Sequence, residues 1–411
     1  MTATALDASL PALDALLDPG RLRALLGRPA KAGHLRYKPG VSVLARLESA
    51  VGIQWAAGFH PDYAGKLRES FDRAAALNAV LETLELPGTP GHQLVCGPVE
   101  LDSRLYHPLR GSGLPLDRIE VLSYNSGRHL VVAFDDADAG RLVAHITDKA
   151  AKVPEPLLER LRQAGVPVLG QLNPGFLPEE PDFAGHTACY PWYGTTDLLQ
   201  LARSVTAPGR GFPLPAAAGQ APSESAPQPL LLAASAGQAL ARLHAQPFCS
   251  GTEMAAGPQP KKLADAASEL LPELRSRLQG AAERLIAALR HAGRAGFVHG
   301  GFSADRILVG ADGIRIINLE RCGYGAVVSD LGCFAAVELL ELGSRTLTEA
   351  LLDGYREAHG VAGEGVAIDP EELRAWTAAH LYARILQPFR ECEPDWRIRI
   401  TRRLTQIEEL L

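Results

Sequence analysis

Residues 299–332 read HGGFSADRILVGADGIRIINLERCGYGAVVSDLG. The stretch opens on His299, Gly300 and Gly301, and Arg306 follows five residues later. Two short β-branched runs, Ile307–Val309 and Ile314–Ile317, flank a Gly-Ala-Asp-Gly turn, which predicts a hairpin. Asn318 stands twelve residues after Arg306, with Glu320 two places on, and Asp330-Leu331-Gly332 opens an apolar helical pattern. Polar side chains are thus placed at the ends of a small hairpin and at the start of a helix.

Working outward, the C-terminal half reads as helix. Leu231–Ala245 is stopped by Pro247, Lys262–His291 is one long helix or two, and 331–411 is helical throughout. The N-terminal half differs. Residues 35–47 (LRYKPGVSVLARL) and 122–134 (LSYNSGRHLVVAF) align Leu35, Tyr37 and Gly40 with Leu122, Tyr124 and Gly127. Each reads as a strand, a glycine turn and a second strand, so we expect a tandem duplication. A further strand and a helix are expected after each copy: Tyr63–Leu67 and Ser70–Leu86 in the first, Leu142–Thr147 and Pro154–Ala164 in the second. The domain plan is then a helical lead-in (1–30), a first hairpin unit (31–115), a second unit with a connecting strand (116–196), and a helical lobe (197–411). Residues 205–230, rich in Ala, Pro, Gly and Ser, predict a flexible insert.

Composition narrows the function classes. The 411 residues carry 41 Lys plus Arg against 47 Asp plus Glu, a net charge of −6, which gives no reason to expect a nucleic-acid or anionic-membrane binder. Six cysteines form no CxxC pair and predict reduced thiols in or near a core. No basic-then-apolar leader and no apolar run of membrane-spanning length is visible, so the expectation is a soluble cytoplasmic protein. The abundance of Ala, Arg, Leu and Gly, with scarce Met and Lys, fits a GC-rich bacterial genome.

The segment around His299 resembles the catalytic half of the aminoglycoside phosphotransferase and choline kinase-like family, small-molecule relatives of the protein kinases. There the stretch runs approximately HGDxHxxN, hairpin, I-D-x-D/E, then D-P-x-x-D-L-A/G. The glycine-turn hairpins, ALARLH (239–244) and the tail around Gln387–Arg390 and Pro394–Trp396 extend the likeness over most of 35–400. The resemblance implies an α+β, two-lobed kinase-like fold with a β-rich N-terminal part and a mostly helical C-terminal lobe. It also implies ATP and Mg2+ as the cofactors. Phosphoryl transfer needs little covalent work from a protein; positioning and neutralisation of phosphate charge do most of it.

The departures fall on those functions. The family's base Asp is Gly301 here, its metal-binding Asn is Arg306, its metal-chelating Asp is Asn318, and the Asp of its D-P pair is Ala326. Asn is a poorer ligand for a hard divalent ion than a carboxylate. His299, Glu320 and Asp330 remain, and the resemblance gives Asp330 a structural role on the loop backbone. For a metal, this chain offers Glu320, at the acidic place two after Asn318, together with Asn318 itself. Arg306 has two readings, an internal cation pairing Glu320 or Asp330, or a phosphate ligand. Where the family has a strand lysine for the nucleotide phosphates, the second unit offers His145 and the first offers Lys66. Cys189, Tyr190 and Trp192 lie in the stretch that resembles the interlobe hinge beside the nucleotide.

Two functions follow. One is a pseudokinase, a scaffold or helper subunit holding a partner enzyme, a peptide or a small ligand in an interlobe cleft. The other is an active ATP-dependent phosphotransferase acting on a hydroxyl of a small molecule or a peptide Ser/Thr.

Overall fold

The computed structural model describes residues 6–150, 153–172, 183, 185–206, 228–247, 254–255, 257–291, 293–361 and 367–411. Most of the expected insert at 205–230 lies outside them. The described chain is α+β and divides into two compact units. The first comprises residues 1–152, 171–192 and 386–400; the second comprises 153–170, 193–385 and 401–411.

The first unit begins with two short helices, α1 (Pro11–Leu17) and α2 (Pro19–Leu26). A three-strand meander follows: β1 (Ala30–Lys38), β2 (Ser42–Ser49) and β3 (Gly52–Phe59). After α3 (Arg68–Ala76) come β4 (Glu82–Glu85) and β5 (Gln93–Pro98), completing a sheet of order β1-β2-β3-β5-β4. The short helix α4 (Tyr106–Arg110) leads into a second meander, β6 (Glu120–Asn125), β7 (His129–Asp136) and β8 (Gly140–Thr147). Beyond α5 (Glu155–Gln163), which belongs to the second unit, β9 (Thr187–Pro191) pairs with β8 and closes a sheet of order β6-β7-β8-β9. Trp55, Ala57 and Val95 of the first sheet share one apolar core with Leu130, Val132, Phe134, Ala144 and Ile146 of the second and with Leu105 and Leu109 around α4.

The likeness of the two meanders reaches further than the hairpins. Gly40 and Gly127 turn them with φ of 64° and 66°, a conformation open to glycine and costly for most residues. In the first copy one oxygen of Asp7 accepts from the Tyr37 hydroxyl (2.9 Å) and the Gly40 amide (3.0 Å). In the second, one oxygen of Asp102 accepts from the Tyr124 hydroxyl (2.5 Å) and the Gly127 amide (2.7 Å). The other oxygen of each Asp accepts from the amide two residues on, Ser9 or Arg104. A short helix, α1 or α4, follows each Asp. The repeated unit is therefore an aspartate, a short helix and a three-strand meander, with the aspartate tying down the hairpin turn. Arg36 joins the copies by donating to the carbonyls of Ser126 (3.0 Å) and Gly127 (3.1 Å).

The first copy departs from the expected strand and helix after its hairpin. The stretch Tyr63–Leu67 is part of a 3-10 turn, Pro61–Leu67, started by the Pro at its first position and by the His60 side chain accepting from the Asp62 amide. The third strand is β3 instead. The expected helix Ser70–Leu86 stops at Ala76, and Glu82–Glu85 forms an edge strand on β5.

In the second unit β10 (Thr196–Asp197) leads into α6 (Leu198–Thr206), which Asp197 caps by accepting from the Gln200 amide at 2.8 Å. Then come α7 (Gln228–His244), α8 (Pro260–Leu270) and α9 (Arg275–Ala288), the last two parted at Pro272. Four short strands follow: β11 (Ala295–Val298), β12 (Ile307–Gly310), β13 (Gly313–Ile316) and β14 (Gly323–Ala326). The rest is α10 (Val327–Leu342), α11 (Thr346–Val361), α12 (Pro370–Ala383), α13 (Gln387–Arg390) and α14 (Trp396–Leu410). The helix α13 packs in the first unit, where Phe389 meets Tyr37 edge-on at 6.1 Å between ring centres. None of the described helices is long and apolar enough to cross a membrane.

Candidate functional site

The segment 299–332 forms one nest in the second unit. β11 pairs with β14 antiparallel, Val298 opposite Gly323, and so delivers His299 and the glycines beside residues 317–322. β12 pairs with β13, Ile307 opposite Ile316. One step beyond that pair, the Ile317 amide donates to the Arg306 carbonyl at 3.1 Å. Arg306 and Asn318 therefore stand at the same end of the hairpin.

Asp330 organises the nest from the first turn of α10. It is buried, 1% exposed, and accepts from the His299 amide (2.6 Å), the Gly300 amide (3.0 Å) and His244 Nε2 (3.2 Å). Tyr355 in turn pairs with His244 Nδ1 at 2.9 Å. Burial alone would raise the Asp330 pKa; the hydrogen bond and charge of His244, the charge of His299 and the His299 amide outweigh it and hold the carboxyl below its ordinary value. Both oxygens thus point at the loop's own backbone and at His244.

His299 is wholly buried, and its Nε2 lies 2.9 Å from the Ile317 carbonyl, so that nitrogen carries the proton. Burial lowers the ring's pKa against the opposing pull of Asp330. Its Nδ1 has no hydrogen-bond partner among the described residues.

Two adjacent glycines differ sharply. Gly300 has φ of 76°, and a Cβ there would run into the Arg321 carbonyl oxygen. A Cβ on Gly301 would meet no heavy atom within 4 Å, so the fold leaves room for a side chain at that position. Asn318 sits in the left-handed region (φ 64°, ψ 51°), which Asn and Asp tolerate better than other side chains.

Arg306 is half-buried with Nε lacking a partner among the described residues, and it does not pair with Asp330, whose oxygens are already taken. Glu320 is exposed. Asp305, beside the altered positions, is exposed and accepts from the Ser303 hydroxyl at 2.6 Å. A divalent ion with a triphosphate wants several hard anionic oxygens. The end of the hairpin offers an amide and a guanidinium, Glu320 is the one carboxylate on the 317–322 side, and Asp330 is committed to the backbone. Among the described residues, no group of three or more His, Cys, Asp or Glu is placed to hold a metal.

The residues assigned to nucleotide binding separate by position. His145 lies half-buried on β8 opposite Val131, with its ring 5.6 Å from that of His129. By register the matching residue of the first copy is Ala57, opposite Leu44. Lys66 instead comes from the 3-10 turn, its ammonium 5.5 Å from the Tyr63 ring centre. Neither copy presents a lysine at the matching place on its third strand. On β9, Cys189 is buried in the shared core and Tyr190 is half-buried; just past its end Trp192 is exposed beneath the Arg141 guanidinium at 4.7 Å. The chain passes from the first unit to the second between Trp192 and Tyr193. What the sequence reading missed is the Asp7 and Asp102 clasps, because the aspartates precede their tyrosines at different spacings.

Residues 209–376 match the model of the phosphotransferase enzyme family, less than half of the chain and including all of 299–332. No curated protein sequence matches. Among solved structures the chain is similar to a choline/ethanolamine kinase family protein from Mesorhizobium loti, at 17% identity over 74% of this chain and 92% of that one, with a TM-score of 0.45. It is also similar to an amicoumacin kinase in complex with AMP-PNP and Ca2+ (13% identity, 72% and 89% covered, TM-score 0.49). A third is a choline kinase from Cryptosporidium parvum (12% identity, 75% and 95% covered, TM-score 0.46). The family resemblance read around His299 is thus matched by a family model over the same residues.

Proposed function

We propose that this chain is a pseudokinase of the phosphotransferase family, a kinase-like scaffold or helper subunit that holds a partner enzyme, a peptide or a small ligand without transferring phosphate. One observation carries the reading: the loop is held in shape by a buried, fully engaged Asp330, while position 301 has space but no side chain. A loop that keeps its shape without its chemistry has both features. A cation at 306 beside an amide at 318 adds electrostatic discouragement for a divalent metal. The active phosphotransferase remains the second reading, since a loose, metaphosphate-like transition state tolerates loss of a base. It would rest on Glu320 and Asn318 holding a metal.

The experiment is turnover of labelled ATP with Mg2+ over hydroxyl-bearing small molecules and Ser/Thr peptides. Transfer that disappears in Glu320→Ala would establish the active enzyme. The scaffold reading expects no transfer in either protein.

A further inference from the structure

The first sheet copy contains a cavity of about 320 Å³ that lies wholly within the first unit. Its floor is the face of β2 and β3 that carries Leu44, Trp55, Ala57 and Phe59, and the 3-10 turn and α3 contribute Lys66, Leu67 and Ser70. By register, Leu44 and Ala57 correspond to Val131 and His145 of the second copy. The cavity therefore lies on the face of the first meander that corresponds by register to the His145 face of the second, and has its own cover.

Its charge is one-sided. Arg36, Lys38, Lys66 and Arg104 line it, against one carboxylate, Asp102. Asp102 is 2% exposed, and its oxygens accept from the amides of Arg104, Leu105 and Gly127 and the hydroxyls of Tyr124 and Ser126. It has no capacity left to neutralise four cations. Arg104 has a partial partner in Asp148 at 3.4 Å. Arg36 is held below its ordinary pKa by burial and by the charges of Arg128 and Arg104, so the fold accepts a cost to keep like charges together. Trp55 is 4% exposed, and its indole Nε1 has no partner among the described residues. Cations crowded around an apolar floor, with a spare buried N–H donor, suit an anion that carries a ring.

We propose that this cavity binds a phosphate-bearing small molecule with an aromatic portion, its phosphates met by Lys38, Lys66, Arg36 and Arg104 and its ring set against Trp55 and Phe59. No metal is needed, because the charge is met by side chains. The site is independent of whether the loop around Asn318 is inert.

The test is isothermal titration of the full-length protein with ATP, AMP and inorganic tripolyphosphate, all in EDTA. ATP is expected to bind, to bind more tightly than tripolyphosphate, and to weaken as salt is raised from about 0.05 to about 0.5 M. The double variant Lys38→Glu/Lys66→Glu, both positions exposed, should weaken ATP about tenfold or more (about 1.4 kcal/mol), with Lys38→Gln/Lys66→Gln intermediate and thermal melting unchanged. Arg306→Ala should leave the affinity as it was. No binding of any of the three probes, or affinity that survives both double variants, overturns the proposal. Loss of binding in Arg306→Ala alone moves the phosphate site to the loop and also overturns it. Tripolyphosphate binding as tightly as ATP removes the aromatic wall from the account.

Discussion

Replacing Asp330 tests whether the loop is held by this carboxylate. In Asp330→Ala the amides of His299 and Gly300 and the Nε2 of His244 lose their acceptor in a place water does not reach. A buried donor left unpaired costs about 1–3 kcal/mol, and partial relaxation offsets some of the sum over three. Removing one side of a buried charged network gives about 3–5 kcal/mol, and that is the expected loss. Asp330→Asn keeps the shape and one acceptor oxygen but not the charge, so about half of that loss is expected. Urea unfolding near pH 7 gives the magnitude. Amide hydrogen exchange at His299 and Gly300 gives the location, because only a loop-clasping role predicts that these two amides lose protection first. An Asp330→Ala protein within about 1 kcal/mol of the parent, with both amides still protected, would refute the reasoning.

Other outcomes follow from the same geometry. Gly300→Ala should destabilise by about 1–3 kcal/mol through strain and collision with the Arg321 carbonyl, whereas Gly301→Asp should stay within about 1 kcal/mol of the parent; paired thermal melts check the contrast. The pKa of His299 is lowered in the fold, so the unfolded chain takes up its proton first. Its contribution is complete above the unfolded value of about 6.5 and is lost as the pH falls below it. Urea midpoints between about pH 7 and 5 should therefore fall less in His299→Gln than in the parent. Tyr124→Phe removes a donor to Asp102 and should cost about 1–2 kcal/mol; equal melting curves would argue against the clasp.

What could be read from the sequence was local and periodic. The glycine turns at Gly40 and Gly127, the Asp-Gly hairpin at 312–313 and the helix that carries Asp330 in its first turn are each set by residues adjacent in the chain. The third strand β3 escaped notice because Gly52, Ala56, Ala57 and Gly58 are weak strand formers; pairing with β2 on one side and β5 on the other makes it a strand. Lys66 was placed on a strand for a different reason: Pro61 and the His60 cap turn the chain away from strand there. The joining of α13 to the first unit depends on Phe389 meeting Tyr37, a contact spanning most of the chain that no local pattern carries. In the loop, residue identity alone showed Gly301, Arg306 and Asn318 at the places where the resembling family has Asp, Asn and Asp. That Asp330 has no free oxygen, and that Gly301 faces open space, required the three-dimensional arrangement.

A thermal shift with Mg-ATP, read against ATP in EDTA, bears most directly on the claim that this nest no longer gathers magnesium and triphosphate. The account predicts the same shift with and without the metal, in the parent and in Glu320→Ala alike. A magnesium-dependent gain of about 2.7 kcal/mol at a hundredfold excess over the dissociation constant, abolished by Glu320→Ala, would contradict it.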